Sequence, residues 1–288
     1  MRLPITISKF SNLLFFVHKS NTLTNRELKE QLSAENIDLL FYGKNKKEIW
    51  RQLIKKLGGK RTKQIKSEIA YLLPNFVSFW NKKAKHLLAW KQYLQSNQLI
   101  FERAIFDTKK LTGVRNYHFS KIPIFLIVTP HNGHSIEAWF SWTPKKSFLV
   151  VEIPANLKTP MNNYFAISVI VHEFFHLLLR NNKKLFTLIC NTALKNKTAL
   201  AKLSDGMPER IFLEELLISS FIPEGYLSNK YFKTKIPRAD KSEDGLLAWR
   251  KFIAAKLRPL SKNYVDNLME VDKKYINNLM AIVKRNIK

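Results

Sequence analysis

His172 and His176 stand four residues apart, with Glu173 beside the first, in the stretch ISVIVHEFFHLLLR (167–180). On a helix, residues i and i+4 lie one above the other on the same face. Two imidazoles so placed can share one Zn²⁺, and the adjacent carboxylate can hold a water without ligating the metal itself. The surroundings sharpen the point, because Val169, Ile170, Val171, Phe174, Phe175, Leu177 and Leu178 are all apolar. A helix apolar on every side belongs in a core. An unpaired ionised carboxylate there costs on the order of several kcal/mol or shifts its pKa. A divalent cation would compensate two imidazoles and a glutamate together. The rival reading is two core histidines bonded to backbone and a glutamate in an ion pair.

With Val169 three residues before the first histidine and no charge or proline nearby, this H-E-x-x-H stretch resembles the extended consensus of the zincin metallopeptidases. A catalytic zinc site needs a third protein ligand and an open position. In the metzincin branch the motif continues to a glycine and a third histidine. Here Leu179 and Asn182 stand at those places, so that branch and its aspartate variant are rejected. Gluzincins take a glutamate from a later helix, and MPERIFLEELLISSFIPEGYL (207–227) offers Glu214 and Glu215. Glu215 is followed after four residues by Ser219. That resembles the gluzincin habit of a ligand glutamate followed by a small or polar residue. Glu214 shares its face with Leu217, Ile218 and Phe221 and is expected to be a salt-bridged or supporting carboxylate if Glu215 ligates.

The resemblance covers roughly residues 122–226. It implies hydrolysis of peptide bonds, with His172, His176 and Glu215 holding Zn²⁺ and Glu173 acting as general base on the attacking water. It also implies an extended peptide or protein substrate paired as an added strand along SFLVVEIPA (147–155). A stabiliser of the transition state is expected, with Tyr226 or Tyr231 as candidates.

The elements that must position these groups follow from periodicity. From about residue 24 to 112 the pattern is helical. Thr24 followed by Glu27 is a capping signal, Gly58-Gly59 marks a stop, and Pro74 is a break or a first-turn residue. The period then shortens. IPIFLIVTP (122–130), SIEAWFSWTP (135–144) and SFLVVEIPA read as strands. Asn132-Gly133 is a hairpin signal between the first two, and the PKK after Thr143 gives a second turn. These predict a small antiparallel meander over 122–154. Helices are expected at about 163–181, 185–204, 208–222 and 242–287, the last broken near Pro259.

The expected class is therefore α+β, mostly α. It would be a zincin-like core with a small antiparallel sheet packed on the H-E-x-x-H helix, flanked by N- and C-terminal helices. The regions are 1–115 (helical), 116–230 (catalytic core) and 231–288 (helical).

The formal net charge is +27 over 288 residues, and the cations are spread along the whole chain. That allows nonspecific anion binding. No RNA-recognition, zinc-finger or basic-zipper signature predicts a specific nucleic-acid partner. Cys190 is the single cysteine, so no internal disulfide can form, and a cytoplasmic location is expected. No run is long enough for a membrane span, and ITISKFSNLLFFVH reads as a strand or short helix of the fold. His131 and His134 suit a solvated turn. His18, His86 and His118 suit structural or surface roles, and Trp50, Trp80 and Trp90 suit a core. Two rival functions stand beside the peptidase: a non-proteolytic zinc-binding regulator, and a basic nucleic-acid-associated protein with a structural metal helix.

Overall fold

A computed structural model describes residues 3–19, 45–130, 133, 135–142, 147–157, 165–233 and 245–286. The chain divides into two compact units, each assembled from separate stretches of sequence. The first takes residues 1–96 and 119–161, and the second takes 97–118 and 162–288.

In the first unit, β1 (Ile5–Thr6), α1 (Lys9–Lys19) and α2 (Lys46–Ser96) precede β2 (Ile124–Thr129), β3 (Glu137–Trp142) and β4 (Ser147–Pro154). The sheet order is β1-β2-β4-β3. β2 runs parallel to β1 and to β4, while β3 is antiparallel to β4. The sheet is therefore mixed, not an antiparallel meander, because β4 inserts between the two strands expected to form the first hairpin. Burial gives the reason. Seven of the eight β4 residues are buried, leaving only Ser147 half-exposed. Such a nearly continuous buried run, apolar except for Glu152, suits a strand with neighbours on both sides. In β3, Ala138, Trp139 and Phe140 are only half-buried. The residues of the hairpin turn expected at His131, Asn132 and His134, of the expected PKK turn and of the expected helix start at Thr24 lie outside the described residues.

Helices α1 and α2 cover this sheet with apolar side chains. Leu14 and Phe15 join Ile49, Leu53, Leu57 and Ile65 around Ile127, Phe148 and Val150. Trp50 packs at the edge of that cluster, and Trp80 packs at the edge of a second one around Phe76. The Asn12 side chain behaves as a fragment of strand. Its Oδ1 accepts from Val128 N at 2.9 Å, and its Nδ2 donates to Leu126 O at 3.2 Å. The expected stop at Gly58 is a kink. Its φ of 80° lies in the left-handed region that glycine tolerates, and a second helical segment continues directly. Pro74 sits within that segment, not at a break.

The second unit holds α3 (Gln98–Leu111), α4 (Phe165–Asn181), α5 (Lys183–Lys195), α6 (Lys197–Ala201), α7 (Glu209–Ser219), α8 (Tyr226–Phe232), α9 (Leu246–Asp266) and α10 (Lys273–Arg285). Helix α4 carries the H-E-x-x-H motif and packs against α3, α5, α7 and α8. Phe174 meets Phe101 edge-on at 5.8 Å, and Phe175 stacks on Phe221 at 5.7 Å. Burying each of these rings contributes about 1.5–3 kcal/mol. That seats α4 deeply and carries the two histidines inward with it. Asn182, at the place of a metzincin third histidine, instead caps α5 by accepting from Leu185 N at 3.0 Å.

The C-terminal helical pattern breaks at 267–272, not at Pro259, which lies inside α9. Leu268 takes φ 53° there, and Asp272 caps α10 by accepting from Tyr275 N at 2.9 Å. No described helix is long and apolar enough to cross a membrane.

Candidate metal centre

Helices α4 and α7 bring the predicted residues together. His172 and His176 are 5% and 7% exposed. Their Nε2 atoms lie 3.1 Å apart. The Glu215 carboxylate faces both rings, with Oε1 3.0 Å from His176 Nε2 and Oε2 3.4 Å from His172 Nε2. Glu214 sits on the other nitrogen of His176, with Oε1 2.7 Å from Nδ1. Thus the two neighbouring glutamates on one helix serve different nitrogens of the same ring.

The hydrogen bonds fix the tautomers. His172 Nδ1 lies 3.0 Å from the Ile222 carbonyl oxygen, which can only accept. That nitrogen therefore carries a proton. Arg210 and Arg180 both contact Glu214, at 2.7 and 3.4 Å, and hold it ionised, so His176 Nδ1 donates to it as well. In neutral rings both Nε2 atoms then present bare lone pairs to each other and to a carboxylate. Three electron-rich atoms cannot converge in this way unless a proton or a cation lies among them. The Glu215 Oε2 atom is buried and makes no hydrogen bond. This orphaned oxygen, together with two oriented imidazole nitrogens, fits a divalent cation with three protein ligands.

The charges respond accordingly. Burial works against an imidazolium at His176. The hydrogen bonds to Glu214 and Glu215 and the charges of Glu215 and Glu173 outweigh it, raising the ring to about 10. Burial also opposes ionisation of Glu215, but the two histidines beside it hold it far below the ordinary carboxylate range. Glu214 is held low against burial by His176, Arg180 and Arg210. Glu173 moves the other way: burial raises its carboxyl, and the nearby histidines and Arg250 only partly offset this. A Glu173 oxygen also lies within 4.8 Å of a ring nitrogen of each histidine. Glu215 lies 3.0–3.4 Å from the two Nε2 atoms, and Glu173 stands beside the same pair of histidines.

Sequence reading missed Arg250 on α9. Its Nε donates to Ser219 Oγ at 2.7 Å, and its Nη2 lies 3.1 Å from Glu224 Oε1. Ser219, noted for its spacing from Glu215, works by holding this arginine. No local signal marks Arg250, since the apolar turn LLAW before it is followed by ordinary lysine-rich helix. The two tyrosines are committed elsewhere. Tyr226 donates to Asp266 at 3.2 Å, and Tyr231 donates to Asp107 at 2.7 Å. Burial, then that Asp107 bond, push the Tyr231 hydroxyl well above its ordinary range. His86 accepts from Trp90 Nε1 at 3.2 Å, as a structural histidine would.

No protein-family model matches this chain, and no curated protein or solved structure matches it either.

Proposed function

We propose that this chain is a zinc-dependent metallopeptidase of the gluzincin type, in which His172, His176 and Glu215 hold the metal and Glu173 is the general base. One observation carries the reading: two Nδ1-protonated histidines and a carboxylate with an orphaned oxygen converge at 3.0–3.4 Å. Two histidines and one glutamate leave a position open for water or substrate, as catalytic zinc sites require. When bound, zinc supplies Lewis acidity that activates water and polarises a carbonyl.

The chain's own groups do the rest. Glu173 takes the proton of the attacking water and passes it to the leaving amine nitrogen. A carboxyl raised by burial retains that proton between the two events better than an exposed one. Glu214 and the Ile222 carbonyl keep both imidazoles turned so that Nε2 faces inward. The substrate is a peptide or protein. Strand β4 already has neighbours on both edges, so the added-strand pairing expected along SFLVVEIPA is withdrawn.

Metal analysis of purified protein and its His176→Ala variant tests the binding. One zinc per chain is expected in the first and none in the second. Glu173→Gln should keep zinc and fold while abolishing cleavage of a peptide library. Wild type that takes up no zinc on reconstitution, or activity that survives Glu173→Gln, would sink the reading.

A further inference from the structure

We propose that Arg250 is a catalytic residue whose Nη1 donates a hydrogen bond to the scissile carbonyl oxygen as it gathers negative charge; this rests on the metallopeptidase reading above. The guanidinium is anchored at two of its three nitrogens. Nε bonds Ser219 Oγ at 2.7 Å, and Nη2 bonds the Glu224 carboxylate at 3.1–3.2 Å. A planar fork held at two corners has its third corner fixed as well. That third nitrogen, Nη1, lies 3.7 Å from Glu215 Oε2. This is too long for a hydrogen bond, yet it places Nη1 beside whatever that carboxylate holds.

A contrast within the same site argues against a purely structural ion pair. Arg210 bonds Glu214 directly at 2.7 Å. Arg250 stops short of Glu215 and spends its bonds on Ser219 and Glu224, leaving Nη1 without a hydrogen bond among the described residues. Its side chain is 19% exposed, largely out of water and still reachable by a ligand. In such surroundings a fixed donor is worth more than in solvent. Its charge is also felt at Glu173. Tyr226 and Tyr231, the hydroxyls expected to do this work, are bonded to Asp266 and Asp107.

The step needs no further reactant. Water oxygen bonds to the carbonyl carbon as Glu173 takes the proton, and the π pair of C=O moves onto oxygen, where Nη1–H donates without transferring its proton. The carbonyl then reforms, the C–N bond breaks, and Glu173 returns the proton to nitrogen.

The test uses the full chain loaded with Co²⁺, whose visible spectrum reports its ligands, and inorganic phosphate as a tetrahedral anion. Arg250→Ala is expected to keep one Co²⁺ per chain and to bind phosphate at least ~10-fold more weakly, with free guanidinium restoring part of the affinity. On a cleaved peptide, kcat should fall by about 10²–10³ with KM little changed. Loss of Co²⁺ from Arg250→Ala would mean that the arginine only positions Glu215, and would overturn the proposal. Unchanged phosphate affinity, or a wild-type spectrum that ignores phosphate, would overturn it too while leaving the metal site standing. Wild type that takes no Co²⁺ would instead bring down the metallopeptidase reading and this inference with it. Should Arg250→Ala fail to fold, Arg250→Gln, which keeps most of the stem, is read by the same outcomes.

Discussion

His176 donates its Nδ1 proton to Glu214 at 2.7 Å, through the ring nitrogen that does not face His172. One histidine thereby separates two adjacent glutamates into different tasks. Glu214, fully buried and ringed by Arg180 and Arg210, orients the ring. Glu215 shares the space in front of it.

The two glutamates should therefore fail differently. On the proposed reading Glu215→Ala removes a ligand, and the protein is expected to retain no zinc after dialysis against a mild chelator. Glu214→Gln removes the carboxylate that orients His176, and zinc affinity is expected to fall by about 10–100-fold. Its stability should fall as well, because Arg180 and Arg210 lose their buried partner. Zinc titration of both variants checks this, and equal retention would contradict the division of roles.

The loop after α7 depends on Gly225. A Cβ there would stand 2.1 Å from the Ser220 carbonyl oxygen and 2.5 Å from Phe221 N, both backbone atoms that cannot swing aside. Gly225→Ala should cost about 1–3 kcal/mol or more in denaturant unfolding. Because the same turn presents the Ile222 carbonyl to His172 Nδ1, zinc affinity should drop with it. A variant of wild-type stability would show that the turn relaxes freely.

Glu152 in β4 gives a pH dependence away from the histidine pair. Burial raises its carboxyl to about 7, only partly offset by Lys19, while Glu137 directly across the strands raises it further. The folded state thus binds this proton more tightly than the unfolded chain, whose value is near 4.5. The contribution to stability is fully present below pH 4.5 and is lost as pH rises through about 7. It amounts to at most about 3 kcal/mol. Unfolding measured from pH 5 to 7.5 should show Glu152→Gln flattening that slope. An unchanged slope would place its origin elsewhere.

Asn12 ties α1 to β2 by bonding the Leu126 carbonyl and the Val128 amide. Asn12→Ala leaves both buried backbone groups without this partner and should cost about 1–3 kcal/mol. Hydrogen exchange is expected to quicken at the Val128 amide first. Undisturbed protection there would argue that another group replaces the side chain.

The signals that could be read along the chain are local. Apolar periodicity marked α4 and α7. The four-residue spacing of His172 and His176 put both rings on one face, and Ser219, four residues after Glu215, singled out the carboxylate that faces them. Each of these signals lies within one helix, where chain geometry alone dictates which residues meet. Packing between distant segments set the rest. It inserted β4 between β2 and β3, because a strand buried on nearly every residue needs partners on both sides, and no hairpin signal records that competition. It gave Glu214 to His176 Nδ1 and Glu215 to the Nε2 pair, a choice set by how α7 rotates against α4. It brought Arg250 to Ser219 and Glu224 across 26 to 31 residues of chain. Side chains that meet at such separations are selected by packing, and packing leaves no period in the sequence to read.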